Sequence, residues 1–113
     1  MFGIILMQNR QIDSAIIQLR KSLELDPSSA ESRANFGIVF AMNKEYDSAY
    51  HHLKIAQSAN SQLLGIYPPL LDVELALGKY AECQRDLNYL RKLDPRNTVI
   101  SRIDAALRNA RGE

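Results

Sequence analysis

The sequence predicts an all-α fold, a stack of antiparallel helix pairs, and three observations carry the prediction. Shifted against itself by 34 residues, the chain aligns Phe2 with Phe36, Gly3 with Gly37, Ala15 with Ala49 and Leu19 with Leu53. A second shift aligns Tyr46 with Tyr80, Ala49 with Cys83 and Leu53 with Leu87. Self-similarity at a fixed period of this size marks an array of helical hairpins, each too small to bury its apolar face alone. Between turn signals, apolar residues recur at spacings of three and four, the period of a one-sided helix. Finally, Leu25-Asp26-Pro27 returns as Leu93-Asp94-Pro95 two periods later. Each ends a helix, because proline disfavours helical geometry in the residue before it.

Taken in order, the first unit is incomplete. Gly3 holds the eighth position of its repeat, so about five residues of a first helix are lacking. A longer array upstream is expected, since the apolar face of residues 1–7 has nothing before it to cover it. Residues 11–25 then form a second helix, with Ile12, Ala15, Ile16, Leu19 and Leu23 on one stripe. Ser28 with Glu31 reads as a capping box opening the next helix, which carries Phe36, Val39 and Phe40 inward and ends near Asn43. A tight turn at Asn43-Lys44-Glu45 leads into its partner over residues 46–59. In the third unit Tyr67-Pro68-Pro69 would kink a helix interior but suits a first turn, so that helix is expected to start near Tyr67 after a longer connector. Gly78 makes the next turn, residues 80–93 form the partner, and a last amphipathic helix spans about residues 98–109.

The order of a large residue, Gly37 and Phe40, then Ala49 with Leu53 and Ala56, resembles the tetratricopeptide repeat over nearly the whole chain. The resemblance implies a right-handed superhelical α-solenoid of about seven helices including a C-terminal capping helix, in one domain covering residues 1–113. Within it, residues 1–29 are a truncated repeat, 30–63 a repeat, 64–97 a divergent repeat and 98–111 the capping helix. The third unit departs from the pattern: Leu71 stands in place of the glycine, and Glu74 where an aromatic usually packs. That carboxylate must reach solvent or find a basic partner, since an unpaired buried charge is costly.

Members of this family are interaction modules, and the resemblance implies a non-enzymatic protein-protein interaction scaffold without a cofactor. Its concave groove, carried over residue by residue, comprises Ile4, Met7 and Gln8, then Glu31, Ala34, Asn35, Ile38, Ala41 and Met42, then Pro68, Asp72, Leu75 and Ala76, with Arg102 following. The surface is mostly apolar and suits a peptide or an amphipathic helix of a protein partner. The clamp by which some members grip acidic chaperone C-termini is not matched: Asn35 fits, but Ile4, Gly65 and Pro69 stand where polar or basic residues belong. An acidic chaperone tail is therefore not the expected partner. Two readings from other classes stand beside this one. One is a self-assembling homo-oligomer stacking through the open N-terminal helix, and the other a targeting arm of a larger enzyme.

Composition bounds the rest. With 14 Lys and Arg against 13 Asp and Glu, the net charge of +1 lacks the basic excess of a nucleic-acid binder. Residues 85–113 hold seven basic against four acidic side chains, a tilt consistent with a solvated face. The short apolar start has no basic flank or cleavage site, and no run reaches the roughly 20 residues of a membrane span. A cytoplasmic protein off the membrane is expected. His51 and His52, as helix neighbours about 100° apart, cannot share a metal, and both are expected on the surface. Cys83, the one cysteine, sits at a small-residue packing position and is expected buried and unreactive. No catalytic residue, metal ligand or cofactor site is read from the sequence.

Overall fold

The computed structural model describes the backbone of residues 2–112 and the side chains of residues 11–112. Those residues form six α-helices and one short 3-10 turn. Helix α1 runs from Phe2 to Leu25 without interruption. Two helices meeting near Asn9-Arg10-Gln11 were expected there, because these residues are the 34-residue equivalents of the turn at Asn43-Lys44-Glu45. That later turn holds Lys44 at φ 61°, a left-handed conformation that costs a residue with a Cβ of order 1–2 kcal/mol. The cost is recovered only when the helices on either side pack along their length. Helix α1 instead runs through the equivalent positions, and the described residues hold six α-helices, close to the seven expected.

Helix α2 (Ala30–Met42) opens on Ser29, whose hydroxyl accepts from the Ser32 amide at 3.1 Å. The cap is one residue later than expected, because the Ser28 hydroxyl turns back to donate to Asp26 at 2.8 Å. Helix α3 (Tyr46–Ala59) lies antiparallel to it. The two approach closely at Gly37, where a Cβ would meet Leu53 Cγ at 2.7 Å and the Ala49 carbonyl oxygen at 3.2 Å. Ala49, Leu53 and Ala56 are completely buried on the facing side of α3.

The connector over residues 60–66 ends in the 3-10 turn Leu64–Ile66 and is pinned by two tyrosines. Tyr67 donates to the Ser61 carbonyl at 2.5 Å, and the Ser61 hydroxyl meets that of Tyr89 at 2.9 Å. Helix α4 (Tyr67–Ala76) carries its prolines in the first turn, where their missing N–H groups lack intrahelical partners anyway. Gly78, at φ 75°, turns the chain into α5 (Tyr80–Leu93). Helix α6 (Val99–Ala110) lays Val99, Ile100, Ile103 and Leu107 onto α4 and α5 and leaves Ser101, Arg102 and Arg108 outside. The core runs continuously from Ala34 through Leu53, Leu70 and Leu87 to Ile103.

Gly37→Ala tests the close approach. Alanine would gain about 1 kcal/mol in helix propensity, but its methyl must displace Leu53 and a backbone carbonyl that cannot swing aside. Net destabilisation of about 1–2 kcal/mol is expected in chemical denaturation.

Candidate functional site

Residues 31, 34, 35 and 38 lie at spacings that share one face of a helix. On α2 these are Glu31, Ala34, Asn35 and Ile38, and that face meets Leu63 and Gly65 of the connector across a groove of about 200 Å³. Ala34 forms the buried floor, Ile38 is half-buried, and Asn35 and Glu31 are exposed at the edge. The prolines shape the opposite wall. They delay α4 to Tyr67, so an irregular connector faces α2 where a regular repeat would place helix. A Cβ added at Gly65 would meet nothing within 4 Å, which leaves that wall open.

Four residues expected in the groove, Glu31, Ala34, Asn35 and Ile38, thus line this one depression. Met42, one turn further along α2 and 69% exposed, lines a separate depression with Gln11, Ile12, Ala15 and Val39. Asp72 and Arg102 are engaged with each other through two hydrogen bonds of 2.7 and 3.3 Å from α6 to α4. The Asp72 carboxylate holds the guanidinium pKa above its usual value. Both groups are about half exposed, so the pair stabilises by less than about 1 kcal/mol. Leu75 packs against the core. The side chains of Ile4, Met7 and Gln8 lie outside the described residues. Leu63 and Gly65 were not expected in the groove, although Tyr67-Pro68-Pro69 was the signal that placed them there.

A polar cluster joins α3, α4 and α5 behind the groove. Lys54 reaches Asp86 at 3.1 Å, with Glu82 and Glu74 each at 3.8 Å. Gln57 donates to the other Asp86 oxygen at 2.9 Å. The Tyr50 hydroxyl donates to Glu82, and the Lys79 ammonium lies 4.7 Å from the centre of the Tyr50 ring. Glu74 is fully buried, and neither carboxyl oxygen has a hydrogen-bond partner. Burial and the adjacent Asp86 carboxylate push it up to about 9, against the weaker pull of Lys54. Of the two expected fates it meets the second, since it reaches no solvent but has Lys54 as its basic partner at 3.8 Å; with its pKa so raised it carries a proton at neutral pH. Lys54 is left to serve Asp86 and Glu82.

His51 is exposed, but His52 is not the surface histidine expected. Helix α3 turns it toward α2, where its ring lies 4.5 Å from Phe36 and stacks on Phe40 at 5.4 Å. Burial, then the charges of Arg33 and His51, lower its pKa to about 4, so it packs as a neutral ring. Cys83 is buried with its thiol 3.7 Å from the Leu71 carbonyl, and burial pushes it up to about 12. That thiol is no nucleophile at neutral pH. Among the described residues no cluster of His, Cys, Asp and Glu could hold a metal ion, and no helix is long and apolar enough to cross a membrane.

No family model matches the chain. The type IV pilus assembly protein PilF of Pseudomonas aeruginosa is 34% identical over 68 residues, covering 58% of this chain and 27% of that protein. The chain thus spans about a quarter of that relative's length. Among solved structures, the first tetratricopeptide domain of Spaghetti (RPAP3), bound to the HSP90 peptide SRMEEVD, superposes with a TM-score of 0.86 at 20% identity, covering 98% of this chain and 88% of that one. The Arabidopsis OM64 tetratricopeptide domain gives 0.81 at 18% identity, covering 95% and 88%. The TPR2B domain of yeast Sti1, in complex with a pHsp70 ligand, gives 0.77 at 16%, covering 97% and 90%. The fold is that of the tetratricopeptide repeat.

The state of Glu74 makes stability depend on pH. Below its ordinary value of 4.5 the group is protonated folded or unfolded; between there and about 9 only the folded chain keeps the proton, so rising pH favours unfolding. Glu74→Gln removes this term. The variant is expected to match the wild type near pH 5 and to exceed its unfolding free energy by about 2–4 kcal/mol at pH 8 in urea titrations. A difference independent of pH would show Glu74 to be ionised in the fold.

Proposed function

We propose that this chain is a non-enzymatic interaction scaffold that seats an apolar or amphipathic segment of a partner protein in the groove between α2 and the connector. The observation that carries the reading is the groove itself: an alanine floor and an isoleucine wall open to solvent, facing a connector that leaves room at Gly65. An amphipathic helix offers apolar side chains at matching spacings of three and four. The tetratricopeptide domains named above support an interaction role, since one is bound to an HSP90 peptide and another is in a pHsp70 complex.

The chemistry of this groove favours a different ligand. SRMEEVD ends in three carboxylate side chains and a free terminus, and such a tail needs cations. Here the charged residue at the groove edge is Glu31, and Arg102 is committed to Asp72. An acidic C-terminal tail would be repelled where an apolar helix would be held. Domains of these folds serve many tasks, so function is read from the site rather than from the fold.

Selection from a random peptide library, read out by fluorescence anisotropy, tests the proposal. The wild type is expected to enrich sequences with apolar residues at i, i+3, i+4 and i+7, and not to bind SRMEEVD. Ile38→Glu should weaken the selected peptides at least about tenfold, or about 1.4 kcal/mol, while circular dichroism stays unchanged. Enrichment of acidic C-termini, or binding untouched by Ile38→Glu, would refute it.

A further inference from the structure

Helix α2 carries two charged residues, Glu31 and Arg33, and they serve opposite sides of it. Two residues apart, they stand about 200° apart around the helix axis. Arg33 turns to α3, where a guanidinium nitrogen lies 3.4 Å from Nδ1 of His52. Glu31 turns to the groove shared with Leu63 and Gly65. The connector that forms the far wall, residues 60–66, has no charged side chain at all. Among the described residues the groove is therefore an apolar trough with one charge at its edge, and that charge is negative.

Nothing inside the fold consumes the Glu31 carboxylate. Its place in the first turn of α2 suits the positive end of the helix dipole, but the side-chain cap is supplied by Ser29. Among the described residues the cations that form ion pairs are Lys54, Arg91, Arg102 and Arg108, and none of them pairs with Glu31. Asn35 follows one turn later on the same exposed edge. Side chains four apart on a helix are neighbours, with Cβ atoms about 5–6 Å apart. A carboxylate and an amide oxygen thus stand side by side along the rim, next to apolar Ala34 and Ile38. A guanidinium, with its N–H donors in a planar fork, can donate to both at once, whereas an ammonium is a point charge without that geometry.

We infer that the partner segment carries an arginine one helical turn from its apolar anchor, donating to the Glu31 carboxylate and the Asn35 side-chain oxygen while the anchor seats against Ala34, Ile38 and Leu63. This selection rests on the groove binding proposed above, and it defines the partner as a cationic amphipathic helix. The apolar anchor supplies most of the affinity and the arginine the selectivity, because an exposed ion pair adds little by itself.

Fluorescence anisotropy with labelled helical peptides tests it. Each peptide has leucine at i, i+3, i+4 and i+7, and the set differs only in carrying Arg, Lys, Gln or Glu one turn outside the leucines, at i−4 or at i+11. The wild type is expected to bind an Arg peptide about three- to fivefold tighter than its Gln counterpart, with Lys between them and Glu weakest, and the preference should shrink in high salt. Glu31→Gln should lose the preference without weakening the Gln peptide, and Glu31→Lys should reverse the order. Glu31 is exposed, so both variants should keep the wild-type circular dichroism. Gly65→Leu adds a side chain on the far wall, where a Cβ meets nothing within 4 Å, and should weaken every peptide alike. Peptides that are weakened by Gly65→Leu, yet bind the wild type equally whatever their charge or keep their order on Glu31→Lys, would overturn the arginine and leave the groove standing. Binding indifferent to both Gly65→Leu and Ile38→Glu, or no binding of any peptide, would overturn the groove and the arginine together.

Discussion

The close approach of α2 to α3 at Gly37 is the contact on which the rest of the molecule depends. With Leu53 Cγ already within 2.7 Å of where a Cβ would stand, the helix separation leaves no room for a side chain on α2. That closeness compensates for the left-handed Lys44 in the turn between the helices. It also brings Phe36 and Phe40 onto His52 and holds the ring neutral. Once α2 is fixed on α3, its remaining face is presented to the connector, and the groove is the outcome.

The second constraint is the polar cluster that ties α3 to α4 and α5. Asp86 is satisfied by Lys54 and Gln57 together, and Glu82 by Tyr50 and Lys54. Lys54 is shared among three carboxyl groups and cannot balance them all, and the most buried one gives up its charge. Burying an unpaired carboxylate costs far more than protonating it at neutral pH. Such a cluster adds less stability than an apolar replacement would, but its hydrogen bonds reach across helices whose apolar contacts alone would tolerate small slips.

Much of the fold was legible in the sequence because its signals are local. Two consecutive prolines restrict where α4 can begin, Gly78 marks a positive φ, and the period of 34 pairs the helices. The face of α2 proposed to line the groove was implied by the family resemblance, carried over residue by residue. What was not legible depends on competition or on distance. That α1 runs unbroken through Asn9-Arg10-Gln11 is not carried by the tripeptide itself. Ser28 and Ser29 are equally good caps until Asp26 claims one of them. His52 looks solvent-facing until α2 is laid against it. Asp72 and Arg102, both assigned to a partner, stand 30 residues apart and meet only because α6 folds across α4. Glu74 required knowing that Lys54 would be shared with two other acids.

The governing role of the α2–α3 contact is tested most directly by a double-mutant cycle on Gly37→Ala and Leu53→Ala, measured by urea unfolding with a stabilising osmolyte. If Leu53 sets the helix separation, removing its Cγ should relieve most of the cost of the new methyl, and the two changes should couple by about 1 kcal/mol or more. Strict additivity would contradict this and show that the approach of the two helices is fixed elsewhere.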